Sequence, residues 1–372
     1  MNVFARLLLV LALASAFICS ALAAQAADPI KLAVTVPTSG DFTAYGQPAV
    51  NATKAVAADL NAAGGILGRQ IEVIALDDQC KPELAVNVAN RAVSDNVDAV
   101  IGHICSGATK AALPIYLEAN LPVVSSASTS PDLTSSGAYP DFFRTIAPGD
   151  EQSRAAVNLA VDTLGAAKIA VIHDKGDYGK SYADFVKEYA EAKAQVVVFE
   201  GITVGAVDYS AVIQKMRASG AQAVIFGGYH SEASKLAQQM RKKRVNIPFI
   251  GPDSIMSPEF VDLAGRNITN VYATSGRDLS SLPAYQKAAE QHRSLYGEKI
   301  GLFYMEAYAA AQALLNAMDK AGTTDPVKVM QTMRTEYVET PLGRIKFDAK
   351  GDAEGVGYGM YAVKDGKYVP YE

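Results

Sequence analysis

From Lys31 onward the chain alternates two hydrophobic periods. Short β-branched runs such as Lys31–Val36 read as buried strands, and the longer stretches between them, with apolar positions three and four apart, read as helices. The first series predicts strands at Lys31–Val36, Gln70–Leu76, Ala99–Ile101 and Pro122–Val124, with helices at Pro48–Ala63, Pro82–Asn96 and Gly107–Asn120. Pro48 and Pro82 are placed in first turns, where a missing N–H costs nothing. A second series follows Pro148: helix Glu151–Leu164, strand Lys168–His173, helix Tyr182–Ala192, strand Gln195–Glu200, helix Ser210–Ala218, strand Ala221–Phe226, helix Glu232–Arg244 and strand Pro248–Ile250. After Arg277 come helices near Pro283–Tyr296, Phe303–Ala321 and Lys328–Arg334, then hairpin-like strands Gly343–Phe347 and Tyr358–Val363. This portion has too few strands for a lobe of its own and is expected to complete the other two. The reading is an α/β fold in which one winding pattern occurs twice, each with a mainly parallel sheet.

Ahead of this pattern, Arg6 precedes an apolar run from Leu7 to Ala24 that ends in Ala24-Gln25-Ala26 and Asp28-Pro29. A cleaved export signal over residues 1–26 is expected, in preference to a membrane anchor, because the run is barely long enough to span a bilayer. Without Arg6 the formal charge moves from −5 to about −6, and loss of Cys19 leaves Cys80 and Cys105. An even pair in an oxidising compartment predicts a disulfide, which across a loop of this length is worth about 3.5 kcal/mol on the chain-entropy estimate.

Composition narrows the function. With 372 residues, 49% hydrophobic and 20% charged, the chain has the material for two ordinary cores. Thirty-four basic residues face 39 acidic ones with no large basic block, so nucleic acid is not an expected partner. Four His and three Cys leave little for a metal or iron site, and no metal or other cofactor is expected.

Ligands of open α/β sheets bind beyond the carboxyl ends of the strands. Here those loops read Pro37–Gly46, Asp77-Asp78-Gln79-Cys80, Gly102–Gly107, Ser125–Pro131, His173–Gly179, Gly227-Gly228-Tyr229-His230 and Gly251-Pro252-Asp253. Short hydroxyl residues, glycines and single tyrosines recur in them, a set suited to a small polar molecule. An enzyme finds less support. The serine run lacks a Gly-x-Ser-x-Gly elbow, and Gly64-Gly65-Ile66-Leu67-Gly68 precedes a strand instead of following one, on the wrong side for a phosphate loop. Asp77-Asp78 has no metal ligands nearby, and the four His are scattered and read as structural.

In this order, the loops resemble those of the leucine/isoleucine/valine-binding protein family, the type I periplasmic solute-binding proteins of ABC importers. Tyr45-Gly46, Asp77–Cys80, Gly102–Ser106, His173–Lys175 with Tyr178-Gly179, and Gly227–His230 carry the likeness. It implies two doubly wound α/β lobes joined by a three-strand hinge, one lobe from residues 28–147 plus 277–351 and the other from 148–276 plus 352–372. It further implies a monomer in the periplasm that delivers a free amino acid to a permease. By resemblance, Ser106 and Thr129 hold the carboxylate, the Ala127 carbonyl accepts from the ammonium, and Tyr178 and Tyr229 close from the second lobe. The side-chain pocket is implied at Tyr45, Ile104, Cys105 and Phe303. Asp253 stands where branched-chain members are expected to carry Glu, so the charge that meets the ammonium sits on a side chain one methylene shorter. A small amide or aromatic acid as ligand, or delivery to a sensory receptor, are the alternatives within this fold. A Cys80–Cys105 bond would pin the loop that carries Ser106 before ligand arrives.

Overall fold

The computed structural model describes residues 27–371 apart from 267, 298 and 299; the expected export signal over 1–26 lies outside the described residues. Two sheets organise them. The first contains β1 (Ile30–Val36), β2 (Ile71–Asp77), β3 (Ala99–Gly102), β4 (Val123–Ser125) and β5 (Phe142–Arg144) in the order β2-β1-β3-β4-β5, all parallel. Nearly every residue of β1 is buried, as expected of a central parallel strand covered by helices on both faces. Helices Thr43–Ala62 and Tyr304–Ala321 pack together, and Pro82–Ser94 packs on Ser106–Glu118.

The second sheet begins with β6 (Lys168–His173), β7 (Gln195–Gly201), β8 (Ala223–Gly227), β9 (Phe249–Gly251) and β10 (Val271–Gly276). After a small hairpin of β11 (Val338–Thr340) and β12 (Gly343–Ile345), it gains β13 (Tyr358–Lys364) and β14 (Lys367–Pro370). Its order is β14-β13-β10-β9-β8-β6-β7, antiparallel only at β13 and β14. The chain is thus two doubly wound α/β lobes.

Three segments pass between the lobes: one after β5, one after β10 and one between β12 and β13. They lie side by side. Arg144 N–H donates to Gly351 O at 2.9 Å, Ala353 N–H to Arg144 O at 3.1 Å, and Arg277 N–H to Gly357 O at 3.2 Å. The Tyr358 hydroxyl adds a bond to Ala147 O at 2.6 Å. This is a three-strand hinge: few backbone bonds join the lobes, so rotation there leaves both cores intact.

Two expectations are corrected. The helix expected from Pro48 begins at Thr43, with Pro48 inside it. Proline there forfeits the bond to the Ala44 carbonyl, but its ring packs so tightly on Gly301 that a Cβ at that glycine would lie 2.5 Å from Pro48 Cγ. The stretches Gly343–Phe347 and Tyr358–Val363 do not pair with each other. β12 pairs with β11, β13 pairs with β10 and β14, and the segment between β12 and β13 is a lobe crossing, not a turn.

Candidate functional site

In the first lobe, the loops after β2, β3 and β4 are tied into one floor. His103, buried at the end of β3, holds Asp78 Oδ2 through Nδ1 at 2.5 Å and meets the Tyr116 hydroxyl through Nε2 at 3.1 Å. Asp78 Oδ1 accepts Cys80 N–H at 2.8 Å. Ser125 Oγ donates to His103 O at 2.6 Å and accepts the N–H groups of Ala127 at 3.2 Å and Ser128 at 3.0 Å. Buried polar groups satisfied this fully hold their loops in one arrangement. Only glycine fits at the end of β3: Gly102 has φ +141°, and a Cβ there would lie 2.3 Å from Thr35 O. The expected Cys80–Cys105 disulfide is present, with Cα atoms 5.4 Å apart.

Ser106 is the first residue of its helix, not the cap, which falls on Cys105. Its Oγ accepts Ser130 N–H at 3.3 Å, and the N–H groups of its turn have no acceptor within the helix, which gives that end a partial positive charge. Thr129 is buried, and its carbonyl accepts Gly149 N–H at 2.8 Å, linking the serine loop to the first lobe crossing.

In the second lobe, Tyr178 lies in the first turn of helix Asp177–Glu191, Tyr229 caps helix His230–Lys242, and Asp253 follows β9. The Tyr178 hydroxyl donates to Asp253 Oδ1 at 2.9 Å. Asp253 Oδ2 is equally buried and has no donor among the described residues. Burial pushes the Asp253 carboxyl up to about 6, against the lowering effect of the Tyr178 hydrogen bond. The phenols of Tyr45, Tyr178 and Tyr229 are raised well above their ordinary value, first by burial, and stay neutral.

Between the lobes lies a narrow cavity lined by Tyr45, Ile104, Ala127, Tyr178, Tyr229, Asp253, Ser254 and Phe303. Cys105, Ser106 and Thr129 do not line it, although Cys105 and Ser106 directly follow Ile104. Its walls are aromatic: the ring centroids of Tyr178 and Tyr229 are 5.1 Å apart and those of Tyr45 and Phe303 5.9 Å apart. Phe42, unnoticed in the sequence, meets Tyr229 edge-on at 5.0 Å. Tyr45 is more than an apolar wall, because its hydroxyl donates to Ser254 O at 2.6 Å and contacts His230 Nδ1. His230 belongs to the Gly227–His230 string but was read as structural, and Ser254 was marked only by its adjacency to Asp253. The cavity therefore offers apolar rings, one carboxylate and, at its edge, a helix start. That combination can hold a small solute with a cation, an anion and an apolar group.

A family profile described as periplasmic binding protein matches residues 29–367. The leucine-, isoleucine-, valine-, threonine-, and alanine-binding protein of Pseudomonas aeruginosa is 35% identical over 338 residues, 91% of this chain and 90% of that protein. The Leu/Ile/Val-binding protein of Escherichia coli is 31% identical over 362 residues, 97% of each. Among solved structures, the branched-chain amino acid transporter substrate binding protein LivJ of Streptococcus pneumoniae in complex with isoleucine superposes with a TM-score of 0.82 at 27% identity, covering 92% of this chain and 100% of that one.

Proposed function

The chain belongs to the periplasmic binding protein family, and on that footing we propose that it captures a free amino acid, leucine, isoleucine or valine, by closing its lobes around it and delivers it to an ABC permease. It is a binding protein and not an enzyme. The reading rests on one observation above all: a buried carboxylate, Asp253, with one oxygen held by Tyr178 and the other lacking a protein donor at the wall of the cavity. A buried charge needs a counter-charge, and an α-ammonium supplies it.

The carboxylate of the same solute goes to Ser106, the start of its helix and Thr129, the ammonium also meets the Ala127 carbonyl, and the apolar side chain packs among Tyr45, Ile104, Cys105, Tyr229 and Phe303. An aromatic acid without an amino group would leave Asp253 without its cation. Relatives that bind leucine, isoleucine and valine support the assignment. A dissociation constant near 1 μM is about −8.2 kcal/mol, or about −0.9 for each of leucine's roughly nine heavy atoms. That is near enough to the ceiling to require enclosure on all sides, and hinge closure provides it.

The lobes are taken as residues 28–147 plus 277–351 and 148–276 plus 352–372, on the support of the strand orders. Export through a signal over 1–26 places the protein in the periplasm, where a monomer would act. Thermal melting against a panel of solutes tests the assignment: leucine, isoleucine or valine is expected to raise the midpoint, and a panel in which only solutes other than amino acids do so would refute it.

A further inference from the structure

Tyr45 and His230 belong to different lobes, yet both are buried at the rim of the cavity and in contact through the Tyr45 oxygen and His230 Nδ1. The same oxygen is 2.6 Å from the Ser254 carbonyl, which only accepts. Tyr45 has one proton, and it goes to Ser254; His230 must therefore donate from Nδ1 to the Tyr45 oxygen. Ser254 Oγ in turn donates to Gly228 O at 2.6 Å, and Ser254 adjoins Asp253 in one short turn. From these contacts we propose that Tyr45 and His230 form a latch across the cleft, which holds the lobes shut and fixes the turn that presents Asp253.

Each hydrogen bond of the latch joins the two lobes, so each exists only when they are closed. The Tyr45 ring also lies edge-on to His230, with centroids 5.3 Å apart, and this packing survives loss of the hydroxyl. Removing the hydroxyl therefore lowers the stability of the closed state relative to the open one and leaves the packing of each lobe as it was. His230 acts here as a positioning residue. It does not line the cavity.

The latch rests on the reading of solute capture by closure, and two readouts separate them. Chasing bound radiolabelled leucine with unlabelled leucine gives dissociation rates for Tyr45→Phe, His230→Ala, His230→Asn and the double variant Tyr45→Phe/His230→Ala. Tyr45→Phe is expected to dissociate about tenfold faster, about 1.4 kcal/mol. His230→Ala is expected to be about threefold faster, and the double variant clearly slower than the product of the two effects, because only the ring packing is left to lose. His230→Asn, which keeps a donor near the Nδ1 position, is expected to restore the slow rate. Unchanged dissociation in Tyr45→Phe, or additive effects in the double variant, overturns the latch while leaving amino-acid capture in place. If the wild type binds none of the three amino acids, the capture reading fails, and the latch is judged by small-angle scattering of solute-free protein. A larger radius of gyration in Tyr45→Phe than in wild type supports it, and equal radii refute it.

Discussion

Arg144 and Asp352 meet at 2.5 Å between Nε and Oδ1, joining the first and third lobe crossings. The Arg144 side chain is wholly buried, and its remaining N–H groups donate to Ser128 O at 3.2 Å, Ser130 O at 2.9 Å and the Thr134 hydroxyl at 2.6 Å. One guanidinium thus fixes the hinge and the serine loop together.

Asp352→Ala leaves that guanidinium buried without its counter-charge, a defect that costs about 3 kcal/mol or more. Equilibrium denaturation is expected to show this loss. Asp132→Ala, which removes the half-exposed partner of Lys110, is expected to change stability by less than about 1 kcal/mol. Equal effects from the two would deny Arg144 its place in the hinge.

Asp253→Asn separates stability from function. The folded protein holds the Asp253 carboxyl at about 6, above its unfolded value of about 3.9, so ionisation is disfavoured by folding. The cost is fully present above about pH 6 and disappears as pH falls towards about 4, where both states are protonated. The asparagine variant keeps an acceptor for Tyr178 and removes the buried charge. Its solute-free melting midpoint is expected to exceed that of wild type by a few degrees at pH 7.5, with the gap closing near pH 4, while leucine binding weakens at least a hundredfold.

Affinity should follow the same carboxyl. The ammonium binds the ionised form, so below about pH 6 binding has to expel a proton. The dissociation constant for leucine is expected to be flat from pH 8 to 6.5 and about tenfold higher at pH 5, measured by calorimetry. A flat profile down to pH 5 would place the ammonium elsewhere.

Replacing both Cys80 and Cys105 by serine removes the tie between the loop ends after β2 and β3. A stability loss of up to about 3.5 kcal/mol is expected from the larger unfolded ensemble. Weaker leucine binding is expected with it, because the loop leading into Ser106 is less restrained. Reduced stability with unchanged affinity would confine the bond to a structural role.

Strands with continuous apolar runs, such as Leu32–Val34 and Ile169–Ile172, were legible because burial on both faces leaves no polar alternation. β5 escaped notice because Phe142-Phe143-Arg144 is short and ends in the hinge arginine, and β10 because Thr274, Ser275 and Gly276 dilute its apolar pattern. The helix start at Thr43 was hidden by Pro48, which reads as a first-turn residue until Gly301 is seen against it. Around the cavity, Tyr45, Tyr178, Tyr229 and Asp253 lie in loops beyond strand ends and drew their roles from the family resemblance. His230, in the same loop as Tyr229, was read as structural. Its role comes from a contact with Tyr45 185 residues away, which only the closing of two lobes creates.

The most direct test of the account is paired calorimetry on wild type and Asp253→Asn with leucine and with 4-methylpentanoate, the same molecule without its amino group. Wild type is expected to bind leucine at least a hundredfold more tightly than the amine-free acid, and Asp253→Asn to erase most of that difference. Equal affinity of the wild type for the two compounds, or an undiminished preference for leucine in the variant, would contradict it.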